Sequence, residues 1–200
     1  RTIPAMVEGI PSMTAVAGDA SHWLSLSLLA IPPLQRPERG WRLLPRQAWQ
    51  SSYMLLLQSG LSPWLIRQRD CAYLRHLWRQ WSPDWAFTEA QFAPVRQAFA
   101  QPAVAHAATR YYRSLFSLQR PATRAFLATL RRPLAVPTLA LAGVSDGCMH
   151  AGLLPRLINP RLFPAGVRTA VLPGCGHFLQ AERPQAVLDE LLVHLRATTA

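Results

Sequence analysis

Two stretches decide how this chain folds: Leu139–Cys148, LALAGVSDGC, and Ala170–Phe178, AVLPGCGHF. In each, a short apolar run of Val, Leu and Ala gives way to a glycine-containing loop, as a buried strand does at its end. Reading outward, the strand Val136–Ala142 is followed by a helix around Ala151–Leu157 and a second strand over Val167–Leu172. A closing helix over Pro184–Arg196 carries Val187, Leu188, Leu191, Leu192 and Leu195 as one apolar stripe. Strand alternating with helix implies a parallel sheet with helices on its faces.

Upstream, Met13–Ala17 (MTAVA) and Leu24–Ile31 (LSLSLLAI) are two more strand-like runs, the second closed by Pro32 and Pro33. From about Trp41 to Arg132 the composition turns to Trp, Gln and Arg. Tyr53, Leu56 and Leu57 share a helix face there, and Leu74, Leu77, Trp78 and Trp81 recur at spacings of three and four. Pro63, Pro83, Pro94, Pro102 and Pro121 punctuate these helices. The expected organisation is α/β: a remnant of core sheet over 1–40, an inserted α-helical cap over 41–132, and the carboxyl-terminal part of the core over 133–200.

Of the 200 residues, 50% are hydrophobic and 16% charged, which excludes intrinsic disorder. The most apolar stretch, Trp23–Leu34, is interrupted by Ser25, Ser27, Pro32 and Pro33, so no membrane span is expected. The 21 cations, against 10 acidic residues, are all arginine and are strewn through every segment, Arg36, Arg67, Arg96, Arg131, Arg168 and Arg196 among them. Nucleic-acid binding proteins gather their cations on one face, so no nucleic-acid partner is expected. Cys71, Cys148 and Cys175 lack CxxC spacing, which indicates neither a disulfide framework nor a zinc site and suits a reducing cytoplasm. The chain begins at Arg1 without a leader and reads as incomplete at its amino end. An open sheet edge and an uncovered apolar face would then favour self-association.

Ligands of open parallel sheets bind beyond the carboxyl ends of the strands. Asp146 and His177 both fall just past such ends. A carboxylate bonded to one imidazole nitrogen fixes the tautomer and stabilises the imidazolium, freeing the other nitrogen to accept a proton. The two side chains are therefore expected within hydrogen-bonding reach.

With these residues in place, VPTLALAGVSDGC followed by LPGCGHFLQAERPQAV resembles the carboxyl-terminal third of an α/β-hydrolase. SSYMLLLQSG, LRHLWRQWSPDW and RYYRSLF resemble the cap of the epoxide hydrolase and haloalkane dehalogenase branch, so the similarity covers residues 25 to 200. The resemblance implies an incomplete α/β-hydrolase core with a helical cap. It makes Asp146 the acid that orients the histidine, and His177 the base that activates water on a covalent ester. Tyr112 would face the cleft toward His177 and donate to the opening epoxide oxygen. The branch's second tyrosine is expected two residues before Gln58, where this chain has Leu56, with Tyr53 a helical turn away. Tyr111, Trp78 and Trp81 read as cap packing.

The family's glycine-flanked nucleophile turn and HG-type oxyanion loop are not intact. The nearest stretch, VAGDAS at 16–21, puts Asp19 at the nucleophile position, with Ser21 for the closing glycine and too few residues before Leu24 for the usual helix. The expected activity is epoxide-hydrolase-like hydrolysis of a small neutral organic substrate, without metal or cofactor, with little or none of it from this chain alone. The alternatives are a truncated, non-catalytic remnant or partner-binding domain, and a haloalkane dehalogenase or esterase.

Overall fold

The computed structural model of the chain describes residues 3–7, 10–31, 35, 42–115, 117 and 119–199. Four strands, β1 (Ile3–Val7), β2 (Trp23–Leu29), β3 (Thr138–Gly143) and β4 (Val167–Leu172), pair in parallel in the order β1-β2-β3-β4. The expected parallel sheet is thus formed. The inner strand β3 is buried along its whole length, and the pleat splits its side chains between two cores. Ala140 and Ala142 join Leu26 and Leu28 on one face, where Met13, Val16, Leu130, Leu154 and Phe163 cover them. Leu139 and Leu141 join Leu29 on the other, against Leu179 and Val187.

One upstream expectation is corrected. Met13–Ala17 is not a strand but lies within helix α1 (Ile10–Gly18). Met13 and Val16, three apart, are both buried against the sheet, a helical spacing that the short β-branched run MTAVA concealed. Pro11 sits in the first turn, where its absent N–H costs nothing. A nine-residue helix thus precedes β2, on the amino side of Asp19 and not between Asp19 and Leu24. Pro32, Pro33 and Trp41 lie outside the described residues.

The chain between β2 and β3 forms a run of helices: α2 (Leu44–Gln50), α3 (Tyr53–Gln58), α4 (Ser62–Leu65), α5 (Gln68–Trp81), α6 (Glu89–Ala100), α7 (Pro102–Leu115) and α8 (Pro121–Thr129). Tyr53, Leu57, Ile66, Leu77 and Ala105 make their core, which reaches Cys148 at the sheet. The amino end of α6 carries a capping box, with Thr88 and Gln91 exchanging hydrogen bonds. Beyond β3 come α9 (Leu154–Leu157), then β4, α10 (Leu179–Glu182) and α11 (Pro184–Thr199). Of the α11 stripe, Val187 is buried and Leu191 packs partly on the core, whereas Leu188 and Leu192 are 47% and 38% exposed, as is Val193 at 55%.

Candidate active site

Parallel pairing brings the ends of β3 and β4 to one edge, with Gly143 opposite Leu172. Asp146 follows the first end by three residues and His177 the second by five. Their side chains meet, Asp146 Oδ2 lying 3.0 Å from His177 Nδ1, with the Asp146 side chain wholly buried. Asp146 Oδ1 accepts the backbone N–H groups of Cys148 at 2.7 Å and Met149 at 2.8 Å, which lock the carboxylate's orientation. Cap helix α2 braces the same loop: Gln47 donates to the Cys148 carbonyl and accepts from His150 N–H, and Gln50 donates to the Asp146 carbonyl.

Burial alone would lower the His177 pKa, but the hydrogen bonds and charges of Asp146 and Cys148 override it and raise it to about 10. Free imidazole titrates near 6.5, so the folded value lies above the unfolded one. Such a group stabilises the fold fully below pH 6.5, and the contribution is lost as pH rises through about 10. The thermal midpoint of the wild type should therefore fall more between pH 7 and pH 10.5 than that of His177→Ala. Parallel losses in the two proteins would contradict the assignment.

The His177 ring is walled by Trp81 and Phe178, at centroid distances of 5.3 and 5.5 Å. Trp81 also borders a cap cavity of about 200 Å³, lined further by Leu57, Leu77, Trp78, Phe99 and Tyr112. Trp78 and Trp81, expected as packing residues, thus form cavity wall as well. Tyr112 meets Tyr53 edge-on, with 5.8 Å between ring centroids. Tyr53 Oη in turn lies 3.5 Å from Cys148 Sγ, beside His177. Burial raises the pKa of both phenols, so both remain protonated donors at neutral pH. Tyr53, a turn away from the family position, therefore reaches the site all the same. Tyr111 is 40% exposed and packs edge-on against Tyr112.

Asp19 is not brought to this site. It caps a short 3-10 turn ahead of β2, accepting the N–H and the hydroxyl of Ser21 at 2.9 and 2.6 Å, bonds that lower its pKa. In a parallel sheet the amino end of β2 is the edge opposite the carboxyl ends of β3 and β4. The strand-to-helix junction falls instead between Val7 and Ile10. The residues that join them in the sequence, Glu8 and Gly9, lie outside the described ones. Asp19→Asn should leave turnover unchanged. A large loss of activity would restore Asp19 to the site.

Sequence reasoning also passed over Cys148, Gln47, Gln50, Ser82 and Glu182, each of which touches the Asp146 or His177 loop. Among the described residues, no three or more His, Cys, Asp or Glu side chains are grouped to hold a metal ion, and no helix is long and apolar enough to cross a membrane. All three cysteines are free and buried.

No family model matches the chain. It is 28% identical over 149 residues to epoxide hydrolase 3 of Xenopus tropicalis, a match covering 72% of this chain and 38% of that protein. A candidate epoxide hydrolase from Klebsiella pneumoniae superposes with a TM-score of 0.75 at 21% identity, over 92% of this chain and 62% of its own. A candidate α/β-hydrolase from Nostoc sp PCC 7120 also gives 0.75, at 24% identity, over 97% and 67%. The chain thus spans well under half of its curated relative and about two thirds of these solved structures. It has the fold of the α/β-hydrolases, as a partial core with a helical cap, and it resembles their epoxide hydrolase branch.

Proposed function

We propose that the chain hydrolyses small neutral epoxides, with His177 as general base, Asp146 as the group that orients it, and Tyr53 and Tyr112 as donors to the opening ring oxygen. The observation that carries this reading is the Asp146–His177 pair at the strand ends, joined through Trp81 to an apolar cavity within the cap. Neutral His177 takes a proton from the attacking water, and Asp146 stabilises the imidazolium that results. A phenol hydrogen bond stabilises the alkoxide as the carbon–oxygen bond breaks and then supplies its proton. The cavity offers mostly carbon surface, which suits a neutral organic substrate in a reducing cytoplasm. No cofactor is required, because water and side chains suffice.

Two neighbouring phenols that stay protonated favour an oxygen leaving group over a halide. Purified protein presented with an aryl epoxide, a haloalkane and an aryl ester should turn over the epoxide best. Tyr53→Phe and Tyr112→Phe should each lower that rate, the more important donor by about 10²-fold. Unchanged epoxide turnover in both variants, or preference for the haloalkane or ester, would defeat the assignment of the tyrosines. The exposed Leu188, Leu192 and Val193 on α11 favour self-association. Sizing chromatography should show a heavier species that grows with concentration, and a single 22.3 kDa species throughout would contradict it.

A further inference from the structure

The carboxyl end of α5 enters the space between the two catalytic loops. The Trp81 carbonyl accepts the N–H groups of Gly147 at 3.0 Å and His177 at 3.1 Å. Ser82, the next residue, is fully buried, and its hydroxyl accepts His177 N–H at 2.9 Å and, at 3.4 Å, Phe178 N–H. The same hydroxyl donates to Glu182 Oε1 at 2.6 Å. Glu182 completes the set, Oε2 accepting Gly176 N–H at 2.8 Å and Oε1 accepting Phe178 N–H at 3.0 Å. Three successive N–H groups, at 176, 177 and 178, are thus held by one cap side chain and one core side chain, with the Trp81 carbonyl sharing the N–H of His177. The fit is close: a Cβ on Gly176 would stand 2.6 Å from Ser82 Cα.

The loop that carries His177 has no ladder partner of its own, and it turns through Gly174 at a φ of 65°. Its buried N–H groups need acceptors from elsewhere, and Ser82, Glu182 and the Trp81 carbonyl supply them. Two rotatable side-chain bonds separate the His177 backbone from its ring, so an error in the backbone passes to Nδ1. Productive catalytic geometry tolerates only about 0.5 Å of such error.

We infer that Ser82 and Glu182 are positioning residues: they fix the backbone of residues 176–178 so that His177 Nδ1 meets Asp146, and they tie that geometry to the cap helix whose Leu77, Trp78 and Trp81 line the cavity. The inference rests on the reading of His177 as the base. Neither residue touches substrate in this role. The aromatic packing of Phe178 on Trp78, at 4.7 Å between centroids, supports the same junction from the other side.

The test is nitrogen-15 NMR of histidine-labelled protein at one fixed pH, with the His177 signals assigned by their loss in His177→Ala. Ser82→Ala and the volume-conserving Glu182→Gln should each move or broaden the His177 Nδ1 resonance while the signals of His22, His76, His106 and His194 stay in place. In an active preparation kcat should fall by about tenfold with KM unchanged, because a misplaced base costs rate and not binding. Glu182→Gln keeps one acceptor and should lose less than Glu182→Ala. An unmoved His177 resonance in both Ser82→Ala and Glu182→Gln overturns the proposal, as does equal movement of all the histidines, which would mean general loosening. The NMR signal requires no turnover. An inactive wild type whose Nδ1 resonance still responds would sink the epoxide reading and leave the positioning role standing.

Discussion

Asp146→Asn should lower epoxide turnover by about 10⁴-fold while leaving the fold intact. The size of the effect follows from how the carboxylate is held. Oδ1 already accepts two backbone N–H groups, from Cys148 and Met149, so an asparagine must place its carbonyl oxygen there. Its amide nitrogen then occupies the Oδ2 position and offers a hydrogen to His177 Nδ1, which must accept it. The ring is forced into the tautomer with the proton on Nε2, and the nitrogen that should act as base is blocked. The substitution also removes the charge that raises the His177 pKa. In the wild type, turnover should climb with pH toward about 10 as the imidazolium is converted to the base. The residual activity of Asp146→Asn should lack that high limb. A rate within tenfold of wild type, measured as kcat over a pH series, would mean that the bond at 3.0 Å serves packing alone.

Gly147→Ala should be the most damaging single methyl group in the site. A Cβ at this position would lie 1.8 Å from the Gln80 carbonyl oxygen and 2.9 Å from its carbon, both main-chain atoms of α5 that no side-chain rotation can move aside. The close approach also carries the bond from Gly147 N–H to the Trp81 carbonyl, so the two backbones cannot part without losing it. Overpacking of this kind costs about 3 kcal/mol. For a chain of this size that is a fall of roughly 6–12 °C in the thermal midpoint. Gly18→Ala is the control, because nothing lies within 4 Å of a Cβ there. A midpoint for Gly147→Ala within 2–4 °C of wild type, the shift of about 1 kcal/mol, would show that the cap is not seated on this loop.

The sheet and the Asp146–His177 pair could be read from the sequence because both depend on local pattern. Short apolar runs ending in glycine loops mark strand ends, and parallel strands put their ends on one edge. MTAVA misled because five residues with two β-branched side chains do not distinguish period two from period 3.6. The spacing of Met13 and Val16 resolves it once the sheet beneath them is seen. That misreading carried Asp19 to the wrong edge. Tyr53 could not be placed by alignment, since a shift of one helical turn is absorbed by how α3 packs on α7. Ser82 had no legible signal, and neither did its pairing with Glu182: the bonds Ser82 makes with His177 and with Glu182 join residues 95 and 100 positions apart. The α11 stripe was drawn too wide for the same reason, because periodicity shows which residues share a face and not how much of it a neighbour covers.

If His177 drives hydrolysis at this site, removing its imidazole must remove the activity. The most direct measurement is the rate of diol formation from an aryl epoxide by purified wild type and by His177→Ala, with far-ultraviolet circular dichroism to confirm that both are folded. Diol production by the wild type should fall by at least about 10²-fold in the variant. No diol from a folded wild type, or a rate that survives in His177→Ala, would contradict it.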